Sequence, residues 1–188
     1  MRLLVAIAMV IGALGCEEPK VEPEEPMTTC AARDLALPEP FVFDVGTNIA
    51  GATGVDAFTP LLTGGSATVV RGSQGALMLV VAARSNAYPA QCKRFTVEAE
   101  LTLEDGKQLG VLTHKKRPMI DGSAGTGLRY MLNVFLVLAE DRPAFGLPNS
   151  WEGKRGTLRV ALSIDDGAGG KLARHEGTVS LLLKELTL

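Results

Sequence analysis

Few side chains in this chain are able to do chemistry. His114 and His175 are the only two histidines, and nucleophilic hydrolysis needs a base within reach of an activated serine or cysteine. Gly122-Ser123-Ala124-Gly125 lacks the Gly-x-Ser-x-Gly spacing of a nucleophile elbow, and its glycines read as a loop. Zinc takes three or four Cys, His or carboxylate ligands. His114 sits beside Lys115, Lys116 and Arg117, whose charges oppose a cation. His175 and Glu176 are adjacent, and adjacent strand residues point to opposite faces. Both histidines therefore read as exposed loop residues. Asp165-Asp166 with the glycines after them, and Glu104-Asp105, could offer oxygens to calcium, but neither has the ligand density of a dedicated loop. Both read first as hairpin turns. No glycine run follows a strand and opens a helix, so there is no dinucleotide fingerprint. The chain is expected to be non-catalytic, with no metal and no cofactor.

Two features keep binding open. His114 to Arg117 is the one basic cluster, able to grip an acidic polysaccharide or a phosphate-bearing lipid head group, with a solvated loop as the simpler reading. Trp151 lies between Asn149-Ser150 and Glu152-Gly153. It could stack on a sugar, or cap a core as a strand begins. Trp151, Lys115, Lys116 and Arg117 are thus the candidate glycan contacts.

The cysteines divide by position. Arg2 precedes an apolar run from Leu3 to Leu14, and Ala13-Leu14-Gly15-Cys16 closes it. This is the layout of a secretory leader, too short to span a bilayer stably. The tetrapeptide resembles a bacterial lipobox, which implies that the Cys16 thiol takes a diacylglycerol and becomes the new N-terminus. Glu17 after it is not the Asp that, by the same resemblance, retains lipoproteins in the inner membrane, so the outer membrane is expected. With Cys16 assigned to lipid, Cys30 and Cys92 remain as a pair in an oxidising compartment and are expected to form a disulfide. In the chain-entropy account, closing such a loop stabilises by roughly 4 kcal/mol.

Composition sets further bounds. The formal net charge is -2, over 188 residues. Glu17, Glu18, Glu22, Glu24 and Glu25 against Lys20 make the stretch after Cys16 acidic, and the rest of the chain is nearly neutral. A near-neutral domain lacks the footprint of a nucleic-acid binder and has no general attraction to an anionic membrane. Glu and Pro alternate from Glu17 to Pro26, which reads as an extended tether. At about 3.1 Å per residue it would hold a domain roughly 30–40 Å from the lipid. The expected organisation is a leader over 1–15, a lipidated cysteine and tether over 16–36, and one domain over 37–188.

Within that domain the pattern is of strands. Phe41-Val42-Phe43, Ala67 to Arg71, Ala76 to Ala83, Leu128 to Ala139 and Gly177 to Leu188 read as strands, the third as a central one. Val97, Ala99, Leu101 and Leu103 alternate with polar residues over Phe95 to Leu103. Asp105-Gly106 then turns into Lys107 to Thr113, as a type I′ hairpin would. Leu158, Val160, Leu162 and Ile164 alternate likewise, and Glu140 to Gly156 reads as a loop. About eight strands with Gly, Pro and Asp-Gly turns predict an all-β, immunoglobulin-like antiparallel sandwich. Leu128 to Leu138 is apolar on both faces. Even residues make one face, and Met131, Phe135 and Val137 make the other. Either a partner or a covering loop such as Glu140 to Asn149 must bury that second face.

Gly72-Ser73-Gln74-Gly75 entering an apolar strand, then Val97-x-Ala-x-Leu-x-Leu into Asp105-Gly106, resembles a group of uncharacterised bacterial lipoproteins of myxobacteria-like envelopes. The likeness covers Val70 to Val111 and Trp151 to Ile164. It implies a leader, a Pro-rich tether and an immunoglobulin-like domain, and it brings no activity. The sequence reading is thus a lipid-anchored envelope protein with an interaction or structural role, its partner an envelope protein. A carbohydrate-binding module for wall or extracellular polysaccharide is the alternative.

Overall fold

The computed structural model describes residues 30, 37–72, 74–89, 91–92, 94–139, 151–165 and 171–185. The leader, Cys16, the tether apart from Cys30, and the loop from Glu140 to Asn149 lie outside the described residues. Among the described residues ten strands form: β1 (Phe43–Thr47), β2 (Thr59–Pro60), β3 (Ser66–Arg71), β4 (Leu77–Ser85), β5 (Phe95–Leu103), β6 (Gln108–Arg117), β7 (Ile120–Asp121), β8 (Arg129–Val137), β9 (Arg155–Asp165) and β10 (Lys171–Glu185). A 3-10 turn at Val55–Ala57 is the one helical element among the described residues. The alternation in β5 does what its period demands: Val97, Ala99, Leu101 and Leu103 are buried while Glu98, Glu100 and Thr102 are not.

The fold is all-β, but the strands form one mixed sheet where two antiparallel sheets are expected. The hydrogen-bonded order is β2-β1-β4-β3-β10-β9-β5-β6, with β8 on the other edge of β4 and β7 on β8. β4 is central, as its unbroken apolar run suggests: β3 pairs with its first half, β1 with its second, and β8 runs along both. β10 pairs parallel with β3 through Leu182 to Glu185, and this parallel ladder joins the two groups of antiparallel strands into one sheet. The sheet curls into a half-barrel that brings β6 against β8. Ala139 N–H donates to Leu109 O at 2.6 Å across that seam. Inside lie Val69, Leu79, Val81, Val97, Leu101, Met131, Leu136, Leu158, Leu162 and Leu181, all at most 1 % exposed.

Several boundaries differ from expectation. β1 begins at Phe43, Arg155 and Gly156 belong to β9, and β10 starts six residues before Gly177. The β5–β6 hairpin forms at Asp105-Gly106, but only Gly106 has positive φ, at 85°. Gly106 N–H donates to Leu103 O, Leu103 N–H donates to Lys107 O, and Asp105 Oδ1 accepts from Lys107 N–H. This is the three-residue loop in which a left-handed glycine follows a tight turn, in place of the two-residue I′ turn.

Candidate functional site

The face shared by β4 and β8 was the sharpest expectation, and a single residue rearranges it. Asn133 has φ 56° and sits in a bulge, where Val81 pairs with Val134 but Ala83 pairs with Met131. The extra residue shifts the alternation by one. Before the bulge Arg129 and Met131 point inward. After it Val134, Leu136 and Leu138 do. Met131 is therefore core, fully buried, and not part of an outer surface. Phe135 is half-buried and Val137 is 51 % exposed, so these two do lie on the outer face, beside Met78.

Side-chain amides hold the bulge. Asn48 Nδ2 donates to Asn133 Oδ1 at 2.9 Å, and Asn133 N–H donates to Asn48 Oδ1 at 3.1 Å. Gly51 N–H donates to Asn133 Oδ1, and Asn133 Nδ2 donates to Ala52 O. These bonds dock the segment after β1 onto the outside of the sheet. There Val80 and Ala82 are buried although they alternate with the inward Leu79, Val81 and Ala83. Phe58 from the same segment packs against Tyr130 at 5.6 Å and under the Arg84 guanidinium. A covering loop thus exists for part of this face, supplied by residues 48–58.

The other end of β8 reaches the disulfide. Cys30 and Cys92 are bonded, with their Cα atoms 5.1 Å apart. Arg129, 4 % exposed, lies beneath the loop that carries Cys92. Its Nη1 donates to Pro89 O at 2.9 Å and Cys92 O at 2.7 Å, its Nε donates to Asp121 Oδ1 at 2.7 Å, and it lies over the Phe95 ring. Next to it opens a shallow cleft of about 380 Å³ between Asn86–Pro89 and Asp121–Leu128. Ser123 lies on the rim, where its carbonyl accepts from Thr126, as a loop does. Tyr88, against Phe95 and His175, donates its hydroxyl to Leu162 O, and burial raises its pKa. Arg129, Asn133 and Asn48 were missed as organising residues. Their signal was two polar residues interrupting the apolar run of β8.

The remaining candidates scatter. Trp151 is 1 % exposed and belongs to the core cluster, at the end of the sheet opposite the disulfide. Its ring is covered on both faces, so the sugar platform is corrected to the core cap. Arg117 is turned back onto β8, where Nη2 donates to Leu132 O and Asn133 O, and it is only partly exposed. Lys115, Lys116 and His114 are exposed on β6. His175 lies in β10, half-buried against Phe41 and Tyr88, not in an exposed loop, and burial lowers its pKa. Asp105 Oδ2 faces Lys154 Nζ at 3.9 Å, an exposed ion pair. Asp166 lies outside the described residues. Among the described residues no three of His, Cys, Asp and Glu converge as metal ligands. No protein-family model matches the chain, and no curated protein matches it.

Proposed function

We propose that the protein is a lipid-anchored envelope lipoprotein, held through Cys16 in the outer membrane, whose β-domain acts without catalysis by binding or bracing another envelope protein. The observation that carries this reading is the Cys30–Cys92 bond. A disulfide belongs to an exporting compartment, and it accounts for the two cysteines that lipidation would leave. The curled sheet serves here as the immunoglobulin-like sandwich was expected to serve, as a rigid head at the end of a tether. Phe135 and Val137, with Met78 beside them, are the apolar surface offered to a partner. The test is metabolic labelling with palmitate in a bacterial host. The full chain should incorporate label and float with outer-membrane vesicles, and Cys16→Ser should do neither. Equal labelling of both proteins would end the lipoprotein reading.

A further inference from the structure

The disulfide fixes where the N-terminal arm joins the sheet. Cys92 lies three residues before β5, and Phe95 at the start of β5 pairs with Arg117 at the end of β6. Cys30 is therefore bonded at the same end of the sheet as the basic end of β6. There β6 carries one residue more than its partner, between the pairs Phe95 with Arg117 and Val97 with His114. Lys116 takes φ 59° within that bulge, a conformation that disfavours lysine. A regular strand would send neighbouring side chains to opposite faces. Here His114, Lys115 and Lys116 are all exposed in a row. The nearby carboxylates are committed elsewhere, Asp121 to Arg129 and Glu98 to Arg174.

We propose that this end faces the bilayer, and that Lys115 and Lys116 meet its anionic phospholipid head groups. The inference rests on the lipid-anchor reading. From Cys16 to Cys30 a polyproline II chain would reach about 43 Å at 3.1 Å per residue, so the anchor keeps this end within range of the surface. A lysine near an anionic membrane favours the docked pose by about fivefold, hence the pair by roughly thirtyfold. That is too weak to recruit a free domain and sufficient to orient a tethered one. The same attraction fades beyond a Debye length of about 8 Å at physiological salt.

The experiment is lysine acetylation footprinting, by mass spectrometry, of the full lipidated chain on vesicles. One set is phosphatidylethanolamine with a quarter phosphatidylglycerol, the other phosphatidylcholine alone. Flotation of the same samples reads the anchor independently. Lys115 and Lys116 should label severalfold more slowly on the anionic vesicles and recover in 0.5 M NaCl, while Lys107 and Lys154 label equally on both. Equal labelling of the pair on both vesicle types overturns the proposal. Salt-sensitive protection on phosphatidylcholine as well would assign the pair to the chain's own glutamate-rich tether and overturn it too. Failure of the wild type to float removes the anchor itself, a result distinct from loss of docking.

Discussion

Asn133 offers the most discriminating perturbation, because conformation and hydrogen bonding can be separated at one residue. Its amide makes three bonds, to Asn48, Gly51 and Ala52, at 2.7 to 2.9 Å. A net contribution of about 1 kcal/mol each, reduced for those open to water, gives about 2 kcal/mol. Asn133→Gly removes these bonds but keeps a residue at ease with φ 56°. Asn133→Ala removes them and adds a left-handed penalty of about 1–2 kcal/mol. Alanine's smaller loss of unfolded-state entropy offsets part of that, by about 0.4–1 kcal/mol. Alanine should thus be the less stable variant, by about 1 kcal/mol. Asn48→Ala combined with Asn133→Ala should show a coupling of about 1 kcal/mol in a double-mutant cycle. Urea unfolding followed by Trp151, the single, buried tryptophan, is the assay. An alanine variant as stable as the glycine one would refute the reasoning, since the bulge would then not need this backbone. The site also decides which side chains face out, because a slip by one residue exchanges Phe135 and Val137 with Val134 and Leu136.

Four other outcomes follow from the same structure. Reducing the Cys30–Cys92 bond, whose ends are 62 positions apart in sequence, should lower the stability by up to about 4 kcal/mol, read as a drop in the urea midpoint on adding reductant. Arg129→Met strips the donor from the Pro89 and Cys92 carbonyls and should cost about 3–4 kcal/mol, whereas Asp121→Asn, on a side chain 61 % exposed, should cost under about 1; equal losses would contradict the assigned bonds. His175 has its pKa lowered by burial, so the unfolded chain takes up the proton first. Stability from its neutral form is present above about pH 6.5 and is lost on acidification through the folded pKa, so thermal scans should show a fall in Tm below that pH that His175→Gln abolishes. Phe135→Glu should leave the urea midpoint nearly unchanged while removing capture of an envelope protein from an extract, and an unfolded variant would end the interface reading.

What could be read from the chain was whatever depends on local period. β4, β5, β8 and β9 announced themselves because alternation or an unbroken apolar run needs no knowledge of a partner. The disulfide was legible for a different reason, a count of cysteines in a compartment. What escaped was set by pairing between distant segments. The parallel ladder of β10 with β3 depends on where the last strand finds a free edge, and nothing within either strand encodes that. The outer face of β8 failed at Met131 because period-two counting assumes a strand without a bulge, and Asn133 breaks it only with help from Asn48, 85 residues away. Trp151 was legible as either platform or plug, and the strands packed around it decided for the plug.

Among the described residues two non-glycines have positive φ, Lys116 and Asn133, and they lie on the two strands that meet where the half-barrel comes nearest to closing. Arg117 ties them together: it follows the lysine bulge in β6, and its guanidinium donates to the carbonyls of Leu132 and Asn133 at the bulge in β8. At the far end of the same seam a Cβ on Gly110 would stand 2.7 Å from Val137 O. A flat pair of strands cannot meet after the sheet has curled, and bulges bend a strand and increase its twist. The strain at Lys116 and Asn133 is therefore accounted for first by closure. It then has two consequences on the surface, the lysine pair turned out at the disulfide end and Phe135 with Val137 turned out along β8. If closure alone had selected these bulges, glycine would serve at both positions. An asparagine that recruits the 48–58 cover, and a lysine that adds charge at the disulfide end, are residues that use the bend as well as permit it.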